Sequence, residues 1–257
     1  MGGSTTFGVG SSSDLTTIPG YLQNYYDSNY ELNIEVINAG IPKAYSYTET
    51  NYIKNKLVKY NPDLFVIYDA WNDLGRSTDT YFDGAGDDDL NSKILRILTI
   101  NPYYKTVNII FKIYNYWKFN TVKQINVYNL DYVDERVGFW KNSWNEICDL
   151  SKENDFEVLI TLQPLVGIGF KQLTNEEQRH YKFYNQDALL PNYEKYAVAL
   201  NELNANCTKT VNLRNVFDDI IETVYFDNGH VGDLGNQIVA KKLFEISLPI
   251  VQEIKEK

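Results

Sequence analysis

Short apolar runs alternate with longer amphipathic stretches along this chain of 257 residues. The runs that are typical of β-strands lie at 34–37, 64–68, 157–162 and 210–213. The stretches with the length and pattern of helices lie at 19–26, 51–60, 89–119, 138–154, 193–204 and 233–257. Strands that alternate with helices form βαβ units, and these units require a parallel sheet. The pattern therefore predicts an α/β fold.

The sequence contains no feature that would divide the chain into separate domains. Neither an internal repeat nor a low-complexity linker is present, so we expect a single domain over residues 1–257, with an insertion at about 75–155. Apolar residues recur at helical spacing inside this insertion, at Val107, Ile110, Phe111, Tyr114 and Trp117. They are interpreted as the inner face of a core helix, and a lid over a binding site is the alternative. Because no strand pattern precedes residues 1–10, we expect the first strand to be missing or truncated.

Charge and hydropathy exclude several classes of function. The net charge of −10 disfavours a protein that grips the phosphates of a nucleic acid, and it disfavours binding to an anionic membrane surface. No apolar run reaches the roughly 18 residues needed to span a bilayer, and no signal-peptide pattern is present. With two histidines and two cysteines, little remains for a zinc site built from those residues. We expect no metal and no organic cofactor.

The two cysteines, Cys148 and Cys207, allow at most one disulfide bond between them. We interpret them as small buried hydrophobic residues, since free cysteine is among the most buried residue types. A single bridge stays open, because sequence alone does not show whether the two approach each other.

Polar residues follow the predicted strands at the points where ligands bind in open parallel sheets, the carboxyl ends of the strands. Gly40 follows the first run and Asn72 follows the second, while Asp227 and His230 lie in a turn after the last. Ser4 lies in a stretch of small residues, 2–6, where the end of a preceding strand is expected. We therefore expect these residues to converge on one edge of the sheet.

These residue types suit acyl transfer. A serine hydroxyl becomes a good nucleophile when a neutral imidazole removes its proton, and a carboxylate fixes the tautomer of that imidazole. Asp227 lies three residues before His230 and can reach back to its Nδ1 atom. The oxyanion of a tetrahedral intermediate needs hydrogen-bond donors, which the backbone of Ser4 and Gly40 and the Asn72 amide could supply.

Four blocks together carry a resemblance to the SGNH (GDSL-like) hydrolase superfamily. They are Gly3-Ser4, Asn38-Ala39-Gly40, Ala70-Trp71-Asn72-Asp73 and Asp227-Asn228-Gly229-His230, which come in the family's order and span nearly the whole chain. The resemblance implies a three-layer α/β/α sandwich with a mainly parallel, flavodoxin-like sheet. It also implies a catalytic triad of Ser4, Asp227 and His230, with an oxyanion hole at Ser4, Gly40 and Asn72.

Two departures from the family pattern accompany the resemblance. Gly3 replaces the usual aspartate before the serine, as in members with a Gly-Gly-Ser-Thr block. Ala70 replaces a glycine, so that a positive φ at this position would strain the backbone.

The function that the resemblance implies is a serine esterase acting on a small acyl ester, such as an acetyl ester, of a carbohydrate or lipid. The alternatives are an O-acyltransferase and a non-catalytic glycan-binding module with the same fold. We expect Trp71 and Gln163 to line the substrate pocket, because each follows a predicted strand at the same edge. His180 lies in a charged stretch, 176–180, and is predicted to be a surface residue. Family resemblance favours a location outside the cytoplasm, with a signal or anchor upstream of Met1. The oligomeric state is left open.

Overall fold

The computed structural model describes residues 1–29, 33–74 and 130–256. Its sheet contains β1 (Leu64–Asp69), β2 (Glu157–Leu162) and β3 (Lys209–Asn212), which are parallel and hydrogen-bonded in the order β1-β2-β3. Leu64 pairs with Glu157, and Leu159 pairs with Lys209. The predicted strands at 64–68 and 157–162 are confirmed, and the last strand begins one residue before its predicted start.

Helices connect and cover these strands. The described α-helices are α1 (Ser4–Phe7), α2 (Ile18–Asp27), α3 (Ser46–Asn55), α4 (Trp71–Leu74), α5 (Val133–Asn154), α6 (Asn175–Phe183), α7 (Gln186–Leu203) and α8 (Asp233–Glu256). Two short 3-10 helices lie at Asp14–Thr16 and Leu57–Tyr60.

Both faces of the sheet are covered, which confirms the predicted three-layer α/β arrangement. Helices α3, α5 and α7 pack on one face, and α2 and α8 pack together on the other. Side chains of β2 alternate between the two layers, as the pleat requires. Val158, Ile160 and Leu162 face the α5–α7 side, whereas Leu159 faces the α2–α8 side.

Helix α2 begins where its sequence supplies an N-cap. The Thr17 side chain accepts a hydrogen bond from the Gly20 backbone at 3.0 Å, which satisfies one of the free N–H groups of the first turn. Leu22 and Tyr26 then face inward, one helical turn apart. The Tyr26 hydroxyl lies 2.6 Å from the Ser247 hydroxyl, so that a buried hydrogen bond joins α2 to α8.

Met1 and Gly2 occupy the position beside β1 where a strand was expected before the serine. The Met1 ammonium donates to the Val66 carbonyl at 2.7 Å, and the Tyr68 N–H donates to the Met1 carbonyl at 3.0 Å. Gly2 forms parallel bridges with Tyr68 on one side and with Gly40 on the other. Because Gly2 is level with the end of β1, the residues after it lie at the carboxyl edge of the sheet.

The strand predicted at 34–37 is wrong. This stretch is not paired in the sheet. The Ile34 carbonyl and the Val36 N–H instead bond to the side-chain amide of Gln23, at 2.9 and 2.6 Å. An apolar cavity of about 910 Å³, lined by Leu22 and Phe65 among others, separates the stretch from the edge of β1.

The predicted insertion at about 75–155 is described only at its C-terminal end. There α5 begins at Val133, earlier than the predicted start at 138, and Trp140, Trp144 and Ile147 are fully buried against the core. This part is therefore the crossover helix between β1 and β2. The remaining residues, including Val107, Ile110, Phe111, Tyr114 and Trp117, lie outside the described residues, and the single domain stays a prediction.

Cys148 and Cys207 form a disulfide bond, so their interpretation as two unbonded residues is wrong and the alternative of one bridge holds. Both are buried, as expected. The bond joins α5 to the segment before β3 across 59 residues of sequence. Closing a loop of this length stabilises a fold by roughly 2–4 kcal/mol.

Within the described ranges no helix is long and apolar enough to cross a membrane.

Candidate active site

The turn at Asp227–His230 is closed by the aspartate side chain. Its Oδ1 atom accepts hydrogen bonds from the backbone N–H of Gly229 at 2.8 Å and of His230 at 2.7 Å. Its Oδ2 atom lies 2.6 Å from Nδ1 of the His230 ring. One carboxylate therefore fixes both the backbone of the turn and the orientation of the imidazole.

Ser4 begins α1, directly after the Met1–Gly2 segment, and its side chain points at the same imidazole. The distance from Ser4 Oγ to His230 Nε2 is 2.7 Å. With Nδ1 bonded to Asp227, the ring can present an unprotonated Nε2 to the serine hydroxyl. The side chains of His230 and Asp227 are 16% and 20% exposed, so the ring is largely shielded but open on one edge.

Two aromatic rings hold the imidazole from different sides. Phe226 stacks on His230 with ring centroids 5.5 Å apart and planes inclined by 16°. Trp71 meets the ring edge-on, with centroids 4.8 Å apart. A Cβ at Gly229 would lie 2.7 Å from the Trp71 ring, so only glycine allows this approach. Phe226 is 41% exposed and was not among the predicted site residues, although its place directly before Asp227 could have indicated it.

Gly40 and Asn72 lie on either side of α1. A Cβ at Gly40 would be 2.2 Å from the Phe7 nitrogen, and one at Gly3 would be 2.5 Å from Nδ2 of Asn72. The Asn72 amide donates to the Ala44 carbonyl at 2.6 Å, which uses one of its two N–H groups. The Gly40 N–H donates to Oδ1 of Asn38 at 3.0 Å. Two of the three predicted oxyanion donors, Gly40 and Asn72, are therefore close to the serine segment, and both carry a bond to a protein acceptor.

Ala70 has a φ of 97°, as the comparison with the family's glycine anticipated. A non-glycine residue in this region costs of order 1–3 kcal/mol and persists where the surrounding structure fixes it. Ala70 is fully buried and joins β1 to α4, so its conformation sets the direction in which Trp71 and Asn72 leave the sheet.

Two buried carboxylates, Asp69 and Asp73, flank this junction in the sequence. Asp69 accepts hydrogen bonds from the indole N–H groups of Trp140 at 3.0 Å and Trp144 at 3.2 Å. Asp73 accepts from the backbone and hydroxyl of Ser46 at the start of α3. Burial, followed by the nearby Asp73 carboxylate, raises the pKa of Asp69 above its usual range. Asp73 is thus a structural anchor.

Gln163 and His180 are both buried. Gln163 is 4% exposed, and its backbone carbonyl accepts a hydrogen bond from the Tyr193 hydroxyl at 2.9 Å. Trp71 is 8% exposed, so these two predicted pocket residues offer little surface to a ligand.

His180 is 6% exposed on the inner side of α6, so its prediction as a surface residue is wrong. Burial lowers the pKa of its ring, against the opposing effect of the Asp227, Glu176 and Glu177 carboxylates.

As for metals, no cluster of three or more histidine, cysteine, aspartate or glutamate side chains suited to an ion occurs in ranges 1–29, 33–74 and 130–256.

The fold is shared with solved structures of esterases at low sequence identity. An acetyl xylan esterase matches with a TM-score of 0.55 at 14% identity, over 95% of this chain and 96% of its own. A Geobacillus acetyl-xylooligosaccharide esterase gives a TM-score of 0.58 at 13% identity, over 95% and 90%. A protein described as a GDSL-like lipase from Parabacteroides merdae gives 0.55 at 13%, over 95% and 91%.

These matches confirm the predicted α/β fold with a parallel sheet. They leave the Gly-Gly-Ser-Thr variant untested. Two further Geobacillus structures are described as catalytic mutants, in which a serine and a histidine, respectively, are replaced by alanine. No protein-family model matches the sequence, and neither does any curated protein.

Proposed function

We propose that this protein is a serine esterase that hydrolyses small acyl esters, with acetyl esters of a carbohydrate as the favoured substrate class. The observation that carries the proposal is the continuous hydrogen-bonded chain from Ser4 through His230 to Asp227, with distances of 2.7 and 2.6 Å. A serine, a histidine and a carboxylate at these distances have the geometry of an activated nucleophile.

In the proposed mechanism, Ser4 Oγ attacks the ester carbonyl carbon while His230 Nε2 takes the serine proton. Asp227 stabilises the imidazolium that forms. The C–O bond to the alcohol then breaks, and the imidazolium gives its proton to the departing alcohol oxygen. Water attacks the acyl-serine with His230 as the base, which releases the acid and regenerates the serine hydroxyl.

The negative charge of the tetrahedral intermediate needs donors at its oxygen. The backbone N–H of Ser4, the second N–H of the Asn72 amide and the N–H of Gly40 are the proposed donors. The Gly40 N–H must leave Asn38 to serve in this way, because it donates to the Asn38 side chain in the structure.

The choice of substrate class rests on three observations. Two of the structural neighbours are named as esterases of acetylated xylan or xylo-oligosaccharides. The half-exposed ring of Phe226 beside His230 offers an aromatic face to a sugar or acyl group. The net charge of −10 suits a neutral substrate better than an anionic one.

The experiment compares hydrolysis of p-nitrophenyl acetate, butyrate and octanoate by wild type and by Ser4→Ala. Ser28→Ala is the matched control, because Ser28 is exposed at the end of α2 and its hydroxyl donates to the Asn24 carbonyl of the same helix. We expect turnover that is fastest on acetate, background rates for Ser4→Ala and wild-type rates for Ser28→Ala. Release of acetate from acetylated xylo-oligosaccharides then tests the carbohydrate class.

The same assay separates the alternatives. Turnover in water without any added acceptor is expected of a hydrolase, whereas an O-acyltransferase would need a sugar acceptor. A wild type that binds acetylated oligosaccharides but is as inert as Ser4→Ala would identify a glycan-binding module and contradict the proposal.

The Cys148–Cys207 bond favours a location outside the cytoplasm, because disulfide bonds persist mainly in oxidising compartments. Alkylation of protein taken directly from the cell in which it is made should leave both cysteines unlabelled. Quantitative labelling of both would contradict this location.

A further inference from the structure

A buried ion pair between Lys171 and Glu177 contacts the segment that precedes the Asp227–His230 turn. Lys171 Nζ and Glu177 Oε2 are 3.1 Å apart, and their side chains are 2% and 0% exposed. Lys171 also donates to the carbonyls of Ile220 and Glu222, each at 2.9 Å. The ammonium therefore has three acceptors, which is its full hydrogen-bonding capacity.

Glu177 is equally saturated. Its Oε1 atom accepts from the backbone N–H groups of Val224 at 3.0 Å and Tyr225 at 3.3 Å. Its Oε2 atom accepts from the Thr174 N–H at 3.0 Å, which makes Glu177 part of the capping box that begins α6. Burial would raise the pKa of Glu177, but hydrogen bonds from Thr174, Val224 and Lys171 outweigh it and leave that pKa lowered.

Four of the five backbone groups that this pair binds belong to residues 220–225, the segment that leads into Asp227, and the fifth is the Thr174 N–H. The segment contains no helix or strand, and its one bridge, between Tyr225 and Val231, closes the turn on itself. Bonds from outside the turn, together with the packing of Val224 and Tyr225 in the core, therefore decide where it lies. One comes from the loop after β2, where the Val166 N–H donates to the Asn228 carbonyl at 3.0 Å. Another joins the Thr223 hydroxyl to the Thr174 hydroxyl at 2.9 Å, and the ion pair supplies four more.

We infer that Lys171 and Glu177 are positioning residues, which hold the Asp227–His230 turn at the distance that lets His230 reach Ser4. This inference rests on the proposed function. It goes beyond stability, because a displacement of about 1 Å at a catalytic group can lower a rate a hundredfold. Neither residue contacts the reacting atoms, so they act through the turn.

The test removes both charges together, in Lys171→Met/Glu177→Gln. Loss of a single partner would leave an uncompensated buried charge, whereas removal of the pair does not. We expect kcat for p-nitrophenyl acetate to fall at least about tenfold with KM changed less than about twofold, because orientation and not binding is lost. The control is Lys141→Met/Glu202→Gln, which removes an exposed ion pair between α5 and α7 and should keep the wild-type kcat.

A second readout reports the turn directly and does not depend on activity. The chain has two histidines, His180 and His230, so protein labelled with ¹⁵N at histidine gives two sets of ring signals, which His180→Gln assigns. The low-field proton of the His230–Asp227 hydrogen bond should weaken or shift in the double variant and stay unchanged in the control. An unchanged His230 signal together with a wild-type kcat would overturn the inference and reduce the pair to a stabilising role.

If the double variant does not fold, Glu177→Asp takes its place. The shorter side chain keeps the charge that neutralises Lys171 but withdraws its oxygens from Val224 and Tyr225, so the same loss of kcat is expected. The two proposals fail differently. An inert wild type would contradict the esterase, while the His230 proton signal would still decide whether the ion pair places the turn.

Discussion

The two sides of the candidate site differ in the partners of their hydrogen bonds in the absence of substrate. On the acid–base side, His230 bonds to Asp227 at 2.6 Å and to Ser4 at 2.7 Å. On the oxyanion side, Gly40 and Asn72 donate to Asn38 and Ala44, which are acceptors within the protein. The comparison predicts that the proposed acid–base residues need no rearrangement for proton transfer, whereas the Gly40 N–H must leave Asn38 to reach an oxyanion. The Asn72 amide keeps a second N–H for that role.

The largest effect is expected on the acid–base side, from Asp227→Asn. The amide would favour the wrong tautomer of His230, and the kcat for p-nitrophenyl acetate should fall by about 10⁴. Asp233→Asn is the matched control, since Asp233 lies three residues after His230 and bonds to Ser12 instead. A loss below about tenfold in Asp227→Asn would show that the aspartate closes the turn without serving the imidazole.

Asn72→Ala tests the oxyanion side. Loss of one oxyanion donor costs about 10²–10³ in kcat, and the effect should fall on kcat more than on KM. Asn55→Ala, at the exposed end of α3, should leave the rate unchanged. A near-wild-type rate in Asn72→Ala would mean that its amide serves only to bond Ala44.

Asn38→Ala tests whether the Gly40 N–H exchanges its bond to Asn38 for a bond to the oxyanion. The Asn38 side chain competes with an oxyanion for the Gly40 N–H, so its removal should change kcat by no more than about threefold, far less than loss of a true donor. If kcat fell a hundredfold, Asn38 would be holding the Gly40 backbone in place, and the bond seen here would be part of the working site.

The last prediction concerns stability and not rate, and it tests Asp69, which ends β1 directly before Ala70. Its folded pKa is raised by burial and by Asp73, so its contribution to stability is present at low pH and is lost as pH rises above about 4. In Asp69→Asn this loss should disappear, which removes up to about 1.4 kcal/mol per pH unit from the slope of unfolding free energy against pH. Denaturant unfolding from pH 4 to 8 measures the slope, with Asp63→Asn, an exposed carboxylate before β1, as control. Equal slopes in the wild type and Asp69→Asn would show that Asp69 is ionised when folded.

The sequence predicts strands best where both faces are buried. The run at 157–162 contains only β-branched residues and leucine after Glu157, and it forms β2 with those bounds. The run at 34–37 has similar side chains but lies beside a cavity and bonds to Gln23, which no local pattern reveals. Pairing depends on what lies next to a strand as well as on its own residues.

The site shows the same limit. Ser4, His230 and Asp227 could be grouped because the ends of parallel strands meet at one edge. Lys171 and Glu177 could not, since charged residues are usually exposed and the burial of these two depends on partners in residues 220–225. The Cys148–Cys207 bond likewise joins residues 59 apart, whose approach only the fold determines.

The most direct test of the central claim, that Ser4 is an activated nucleophile, is intact-protein mass spectrometry after reaction with a fluorophosphonate. We predict a single adduct that maps to the Ser4 peptide, is absent in Ser4→Ala and forms far more slowly in His230→Ala. No adduct on folded wild type, or an equal adduct on Ser4→Ala, would contradict the claim.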